Sequence, residues 1–277
     1  MKQKLTFAAY TVAVAILAFG LGYLIFYPRG REAQEKAAPG EERPVPAKVA
    51  APKHLAKVAI IIDDIGGDMQ ALDGVLALGA PVAVAVLPRL RHSEDSARRA
   101  QKAGREVLLH IPMQPKGESM RGVGPGALVE GMDEGSVKRT VADDLATVPG
   151  AVGVNNHMGS EVTADRRMMD ALMGEIRAHG LYFIDSKTSA DSVAYGTAVK
   201  EGVRAGARKV FLDASDDPAD IRRQMGRLVS LAKRDGSAIA IGHPKPGTLK
   251  ILREDLPGLK AQGVEVVKVS ALLRHGA

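Results

Sequence analysis

The sequence predicts an α/β fold: an irregular (β/α) barrel of seven or eight strands, preceded by one transmembrane helix. Three observations carry this. Short runs rich in Val, Ile and Leu alternate with amphipathic stretches through residues 57–277, the pattern of buried parallel strands joined by helices. Five of the runs end on a carboxylate or a histidine, and in barrels and open α/β sheets the carboxyl ends of the strands share one side, where the chemistry sits. A separate apolar run, Leu5 to Tyr27, carries no charge and is long enough to span a bilayer.

Residues 1–28 are expected to form an N-terminal membrane anchor. Lys2 and Lys4 precede the apolar run, and Tyr10, Tyr23 and Tyr27 lie toward its ends like an aromatic belt. The run is long for a cleaved signal and no small-x-small site follows it cleanly, so an uncleaved anchor is expected. The short N-terminal tail then stays in the cytoplasm, and the main domain lies on the periplasmic side of the inner membrane. Residues 29–56 are rich in Ala, Glu and Lys, with Pro39, Pro44, Pro46 and Pro52, and read as a disordered or polyproline-like tether.

Within residues 57–277, Val58–Ile62 is the first strand, running into Asp63-Asp64, with a helix expected near 69–78 after Gly66-Gly67. Strand two is 82–87. Ser93 is the expected N-cap of a helix through Lys102, closed by Gly104. Strand three ends at His110, and the Gly- and Pro-rich segment Gln114–Gly131 is expected to overhang the site. A helix over 133–147 leads to strand four, 151–154, which runs into Asn155-Asn156-His157. A helix over 163–179 stops at Gly180, and strand five ends at Asp185. A helix over 191–201 and a short strand six over 209–212 follow. Asp217 caps a helix that begins at Pro218 and stops before Gly236. Strand seven ends at Gly242-His243, and a helix over 248–256 and a strand over 264–269 close the domain.

The chain has no cysteine, which excludes disulfides and thiolate zinc sites. The net charge of +6 falls mostly on helix-like stretches, and no nucleic-acid motif is present. Of ten Phe and Tyr residues, six lie within residues 1–27, and there is no Trp. The domain keeps only Tyr182, Phe183, Tyr195 and Phe211, too few rings for a broad sugar-stacking platform.

Adjacent carboxylates ending an Ile-rich strand are costly to bury unpaired. One ligating a metal while the other takes a proton resolves that cost. With Asp64, His110 and His157 form a carboxylate–imidazole set suited to zinc or another divalent transition metal. His243 sits in a rigid Gly-His-Pro-Lys-Pro segment as a functional candidate, and Asp185 reads equally as a group that orients a histidine or as a helix cap. Asp213 and His92 are expected to be structural, and His54, His179 and His275 to be linker or surface residues.

This order of motifs resembles the polysaccharide deacetylase superfamily, most closely its divergent, membrane-tethered branch, over about Lys57 to Leu273. The resemblance implies a distorted (β/α) barrel. It also implies that in the strand-end pair Asp63 is the base and Asp64 a metal ligand. The family's His-x-x-x-His is matched by His110, but its second position holds Gln114. Its Arg-x-Pro is replaced by Asn155-Asn156-His157, its late Leu-x-His is matched by Ile241-Gly242-His243, and its Asp-x-x-Trp has at most Asp185 as counterpart. On this reading Asp64, His110 and His157 hold zinc or a related ion, Asp63 is the base, His243 the acid, and Asp185 fixes the tautomer of His243. The implied activity is N-deacetylation of an envelope polysaccharide or peptidoglycan-type glycan, with O-deacetylation using the same parts. A catalytically inert, membrane-tethered glycan-binding or assembly protein is the alternative.

Overall fold

The computed structural model describes residues 55–117 and 120–273. The predicted anchor, nearly all of the predicted linker, His54 and His275 lie outside these residues. Among the described residues no helix is long and apolar enough to cross a membrane.

Among the described residues nine strands form one sheet: β1 (Ala56–Ile65), β2 (Ala83–Val86), β3 (Val107–Met113), β4 (Gly153–Met158), β5 (Tyr182–Asp185), β6 (Ala205–Ala207), β7 (Val210–Phe211), β8 (Ser237–Gly242) and β9 (Val264–Val266). Seven α-helices accompany them among the described residues: α1 (Met69–Leu76), α2 (Ser93–Lys102), α3 (Glu134–Thr147), α4 (Arg166–Ala178), α5 (Ala194–Lys200), α6 (Pro218–Asp235) and α7 (Pro246–Asp255). The strand order is β6-β5-β4-β3-β2-β1-β8-β7, and β9 pairs with the first residues of β1. Every pairing is parallel.

This corrects the expected seven- or eight-stranded barrel in two respects. There are nine strands, and the sheet is a curled half-barrel, since no ladder joins β6 to β7 among the described residues. The expected sixth strand is the reason. Expected over 209–212, it is β7, which joins β8, while a further short strand just before it, β6, joins β5. Between them the chain itself bridges the seam: Arg208 N donates to Asp185 O and Lys209 N to Ile239 O, both at 2.9 Å.

The strands are apolar on both faces, which is why they read as continuous hydrophobic runs. In β1, Val58, Ile60 and Ile62 pack outward into the core shared with the helices. Ala59 and Ile61 point inward with Ala83, Ala85, Leu108, Tyr182, Ile184, Ile239 and Ile241. The inner face holds many small residues because the curled sheet leaves little room there. Gly153 lies opposite Tyr182 in the ladder, and a Cβ at that position would overlap the Tyr182 ring.

Several boundaries differ from expectation for local reasons. Ser93 begins α2 instead of capping it, because its hydroxyl donates to Leu87 O at 2.6 Å and accepts from Leu90 N at 2.8 Å. Asp217, by contrast, caps α6 through Ala219 N at 2.9 Å, with Pro218 at the first helical position and Gly236 at φ 83° as the stop. The segment after β3 is fastened back along that strand. Gln114 N donates to Leu128 O, and Leu128 N to Pro112 O, both at 2.9 Å.

Candidate metal and acid–base site

Strand parity builds the site. Successive side chains along a strand point to opposite faces, so the inward series of each strand can be counted past its tip. From Ala59 and Ile61 it reaches Asp63, from Leu108 it reaches His110, and from Gly153 it reaches Asn155 and His157. From Ile239 and Ile241 it reaches His243. Asp64 has the wrong parity for this cavity. It enters because its backbone adopts φ 60°, in the left-handed region, where the pairing of β1 with β2 shifts register between Ile62 and Ile65. Such strain in a non-glycine residue costs of order 1–3 kcal/mol and concentrates at functional sites.

Three ligand-type atoms converge there. Asp64 Oδ1 lies 3.2 Å from His110 Nε2 and 3.1 Å from His157 Nδ1, and the two nitrogens are 3.2 Å apart. A tetrahedral ion with bonds of ~2.0–2.1 Å separates its ligands by about 3.3 Å. Asp64 Oδ1 is buried and has no hydrogen-bond partner of proper angle. An orphaned buried carboxylate oxygen facing two imidazole nitrogens at this spacing suits a divalent ion. Of the expected ligands, the structure thus brings all three together. Gln114 is not among them: its side-chain oxygen accepts from Glu130 N at 3.0 Å and closes the base of the loop.

Around this triangle each partner is held by a named group. Asp63 is almost wholly buried, and its Oδ1 accepts from Asn155 Nδ2 at 2.8 Å. Burial pushes the Asp63 carboxyl above its ordinary value, outweighing the lowering by His110 and the Asn155 amide. Burial acts the same way on Asp64, but the two imidazoles prevail and hold it well below the usual carboxylate range. Burial alone would lower His110, yet the adjacent Asp63 and Asp64 carboxylates push it up to about 9.

His243 stands across from Asp64, its Nε2 3.7 Å from Asp64 Oδ2. Its Nδ1 bonds to Asp213 Oδ1 at 2.9 Å, and its ring meets Phe211 edge-on. Asp213 is saturated with donors: His243 N and Thr248 Oγ1 both reach its Oδ2 at 2.7 Å. Those donors outweigh burial and keep the Asp213 carboxyl below its ordinary value. Asp213 in turn raises His243, against a burial effect that alone would lower it.

Two expectations are corrected here. Asp185 does not orient His243. It continues the outward series of β5 after Phe183, where it accepts from Lys187 N and Ser192 Oγ at 2.8 Å and Tyr195 N at 3.3 Å. It ties the turn after β5 to the start of α5. Asp213, expected to be structural, holds His243 instead. Parity counted from Phe211 was the signal that could have selected it. Asn155 is visible in the sequence only as part of a motif, and nothing in that motif assigns it a task.

The elevated His110 has a consequence for the metal-free protein. Its folded pKa of about 9 exceeds the ordinary 6.5. The stability it contributes is therefore fully present below pH 6.5 and is lost as pH rises through about 9. The melting temperature of chelator-treated protein should fall across that interval, and the fall should be shallower in His110→Gln. Identical slopes in the two proteins would contradict the account.

The family model described as divergent polysaccharide deacetylase matches residues 60–273. The uncharacterized protein YibQ of Escherichia coli is 39% identical over 227 residues, covering 82% of this chain and 70% of YibQ. An uncharacterized protein of Haemophilus influenzae is 37% identical over 220 residues, covering 79% of this chain and 78% of its own. Among solved structures, an uncharacterized protein from Agrobacterium tumefaciens superposes with a TM-score of 0.75 at 25% identity, covering 80% of this chain and 90% of that one.

Proposed function

The chain belongs to the divergent polysaccharide deacetylase family, and from that premise we propose that it is a metal-dependent hydrolase that removes N-acetyl groups from an envelope glycan. The observation that carries this reading is the triangle of Asp64 Oδ1, His110 Nε2 and His157 Nδ1, with edges of 3.1–3.2 Å and an orphaned carboxylate oxygen at one corner.

Zinc or a related divalent ion, held by Asp64, His110 and His157, would supply Lewis acidity, lowering the pKa of water and taking up oxyanion charge. Asp63 suits the part of general base. Its raised pKa brings it nearer to the working pH than an exposed carboxylate. Asn155 holds the carboxylate in place from behind. His243 suits the part of general acid. Asp213 accepts from its Nδ1 and favours the protonated ring, which leaves the Nε2 proton facing the cavity for the departing amine. The scarcity of rings in the domain favours grip on the sugar by polar contacts over stacking. The apolar run at residues 5–27 supports attachment to the inner membrane, with this domain on the periplasmic side.

The test is acetate release from acetylated peptidoglycan and chito-oligosaccharide fragments by the zinc-loaded full chain. Release abolished in Asp63→Asn is the expected result. Zinc-loaded protein that binds such fragments but frees no acetate would overturn the hydrolase reading in favour of an inert glycan-binding protein. A periplasm-active reporter fused after Ala277 should be active, and a silent one would contradict the placement.

A further inference from the structure

We propose that the Asn155 side-chain amide is a positioning residue for both halves of the site at once. Its oxygen selects which nitrogen of His110 faces the ligand triangle, and its NH2 holds the carboxylate of Asp63. The proposal rests on the metal-hydrolase reading above and assigns one buried side chain the alignment of base and ligand.

Asn155 is fully buried and is the direct ladder partner of His110 across β3 and β4. That register brings the short amide within reach of the imidazole. The orientation of the amide follows from its neighbours. An ionised carboxylate only accepts hydrogen bonds, so the group 2.8 Å from Asp63 Oδ1 must be the NH2. The same NH2 lies 3.4 Å from Ser186 Oγ. The amide oxygen is then left facing His110 Nδ1 at 3.0 Å, and that nitrogen must carry hydrogen. The neutral imidazole is thereby fixed with its lone pair on Nε2, the atom that faces Asp64 and His157. A ligand histidine tied down through its other nitrogen is the usual means of fixing ring orientation, and loss of such a partner typically weakens metal binding 10–100-fold.

No charged side chain could do both tasks. A carboxylate would accept from His110 but repel Asp63. A lysine or arginine would hold Asp63 but could not accept from His110. Only a group with an acceptor and a donor on one short, rigid plane joins the two. His110 Nε2 also lies 3.5 Å from Asp63 Oδ2, so a small tilt of either partner would exchange the ligand contact for an ion pair with the base.

Separation of the two ends tests this in the full-length protein, with zinc competition against a chromogenic chelator and acetate release as readouts. Asn155→Leu removes both ends and should weaken zinc about 10–100-fold. Asn155→Asp keeps the acceptor for His110 and should hold zinc within about threefold of the parent, while kcat falls at least tenfold with little change in KM. The exchanged pair Asp63→Asn with Asn155→Asp puts donor and acceptor back in contact, and should recover the melting temperature that Asn155→Asp loses. A purely packing role would make Leu and Asp lose zinc alike. Equal loss in both variants, or parent-like affinity in Asn155→Leu, overturns the ligand half, and unchanged kcat in Asn155→Asp overturns the base half. A parent that binds zinc but releases no acetate sinks the hydrolase reading and the base half together, while the zinc comparison still decides the ligand half.

Discussion

Replacing His157 by alanine is expected to abolish stoichiometric metal binding while leaving the fold in place. The variant removes one corner of a three-atom triangle whose edges are 3.1–3.2 Å, leaving Asp64 and His110 as a two-ligand set. Two protein ligands do not make a closed or a catalytic zinc site, where three or four are the rule. Zinc affinity should therefore drop by at least about 100-fold, and hydrolysis with it. The side chain is partly open to solvent and contributes no apolar core. Chelated parent and variant should consequently melt within a few degrees of each other, a difference worth about 1 kcal/mol in a domain of this size. His157 stands two residues beyond Asn155 on β4, the strand after β3, where the superfamily pattern would place its second histidine at the position occupied by Gln114. Retention of zinc in His157→Ala would mean that another group supplies the third ligand.

Asp213→Asn should have the next largest effect, and on a different quantity. The three groups that reach the Asp213 carboxylate are all donors: His243 Nδ1, His243 N and Thr248 Oγ1. An amide replaces one acceptor oxygen with an NH2 and leaves at least one of those donors unmet, at a cost of about 1–3 kcal/mol in stability. The larger consequence is for the imidazole, which loses the anionic partner that favours its proton. A general acid typically contributes 10²–10⁴-fold, so kcat should fall by about that range. The pH profile should lose its alkaline limb earlier, because a lowered His243 pKa deprotonates the acid sooner. Asp213 has no contact with the ligand triangle, so zinc stoichiometry should stay at the parental value. Parental kcat in Asp213→Asn would remove His243 from the acid role.

Much of the fold was legible because a parallel sheet covered on both faces must be written as continuous apolar runs. Those runs located eight of the nine strands to within a few residues. The exception is β6 (Ala205–Ala207), a three-residue piece on the edge of the sheet opposite β7, too short to show a period. The start of α6 is legible because the Asp217-Pro218 pair acts locally, whereas Ser93 has the sequence context of a cap but its hydroxyl serves the preceding turn. The triad of Asp64, His110 and His157 was legible as residue types at strand tips. What brings Asp64 into line with the other two was not, since it depends on a left-handed backbone at a register shift. Asp185 resembles a partner for His243 in the sequence because both follow apolar runs. Chain direction and parity place Asp185 on the helix side and leave the inner position to Asp213. The anchor and tether fall outside the described residues, so their reading still rests on sequence.

The central claim is that three side chains from β1, β3 and β4 share one ion. Anomalous diffraction from zinc-loaded crystals, recorded on both sides of the zinc absorption edge, tests it most directly. The account predicts a single strong peak within bonding distance, ~2.0–2.2 Å, of Asp64 Oδ1, His110 Nε2 and His157 Nδ1, with Asp63 and His243 beside it and unbound. A peak held by other residues, or fully loaded crystals with no peak between these three atoms, would contradict it.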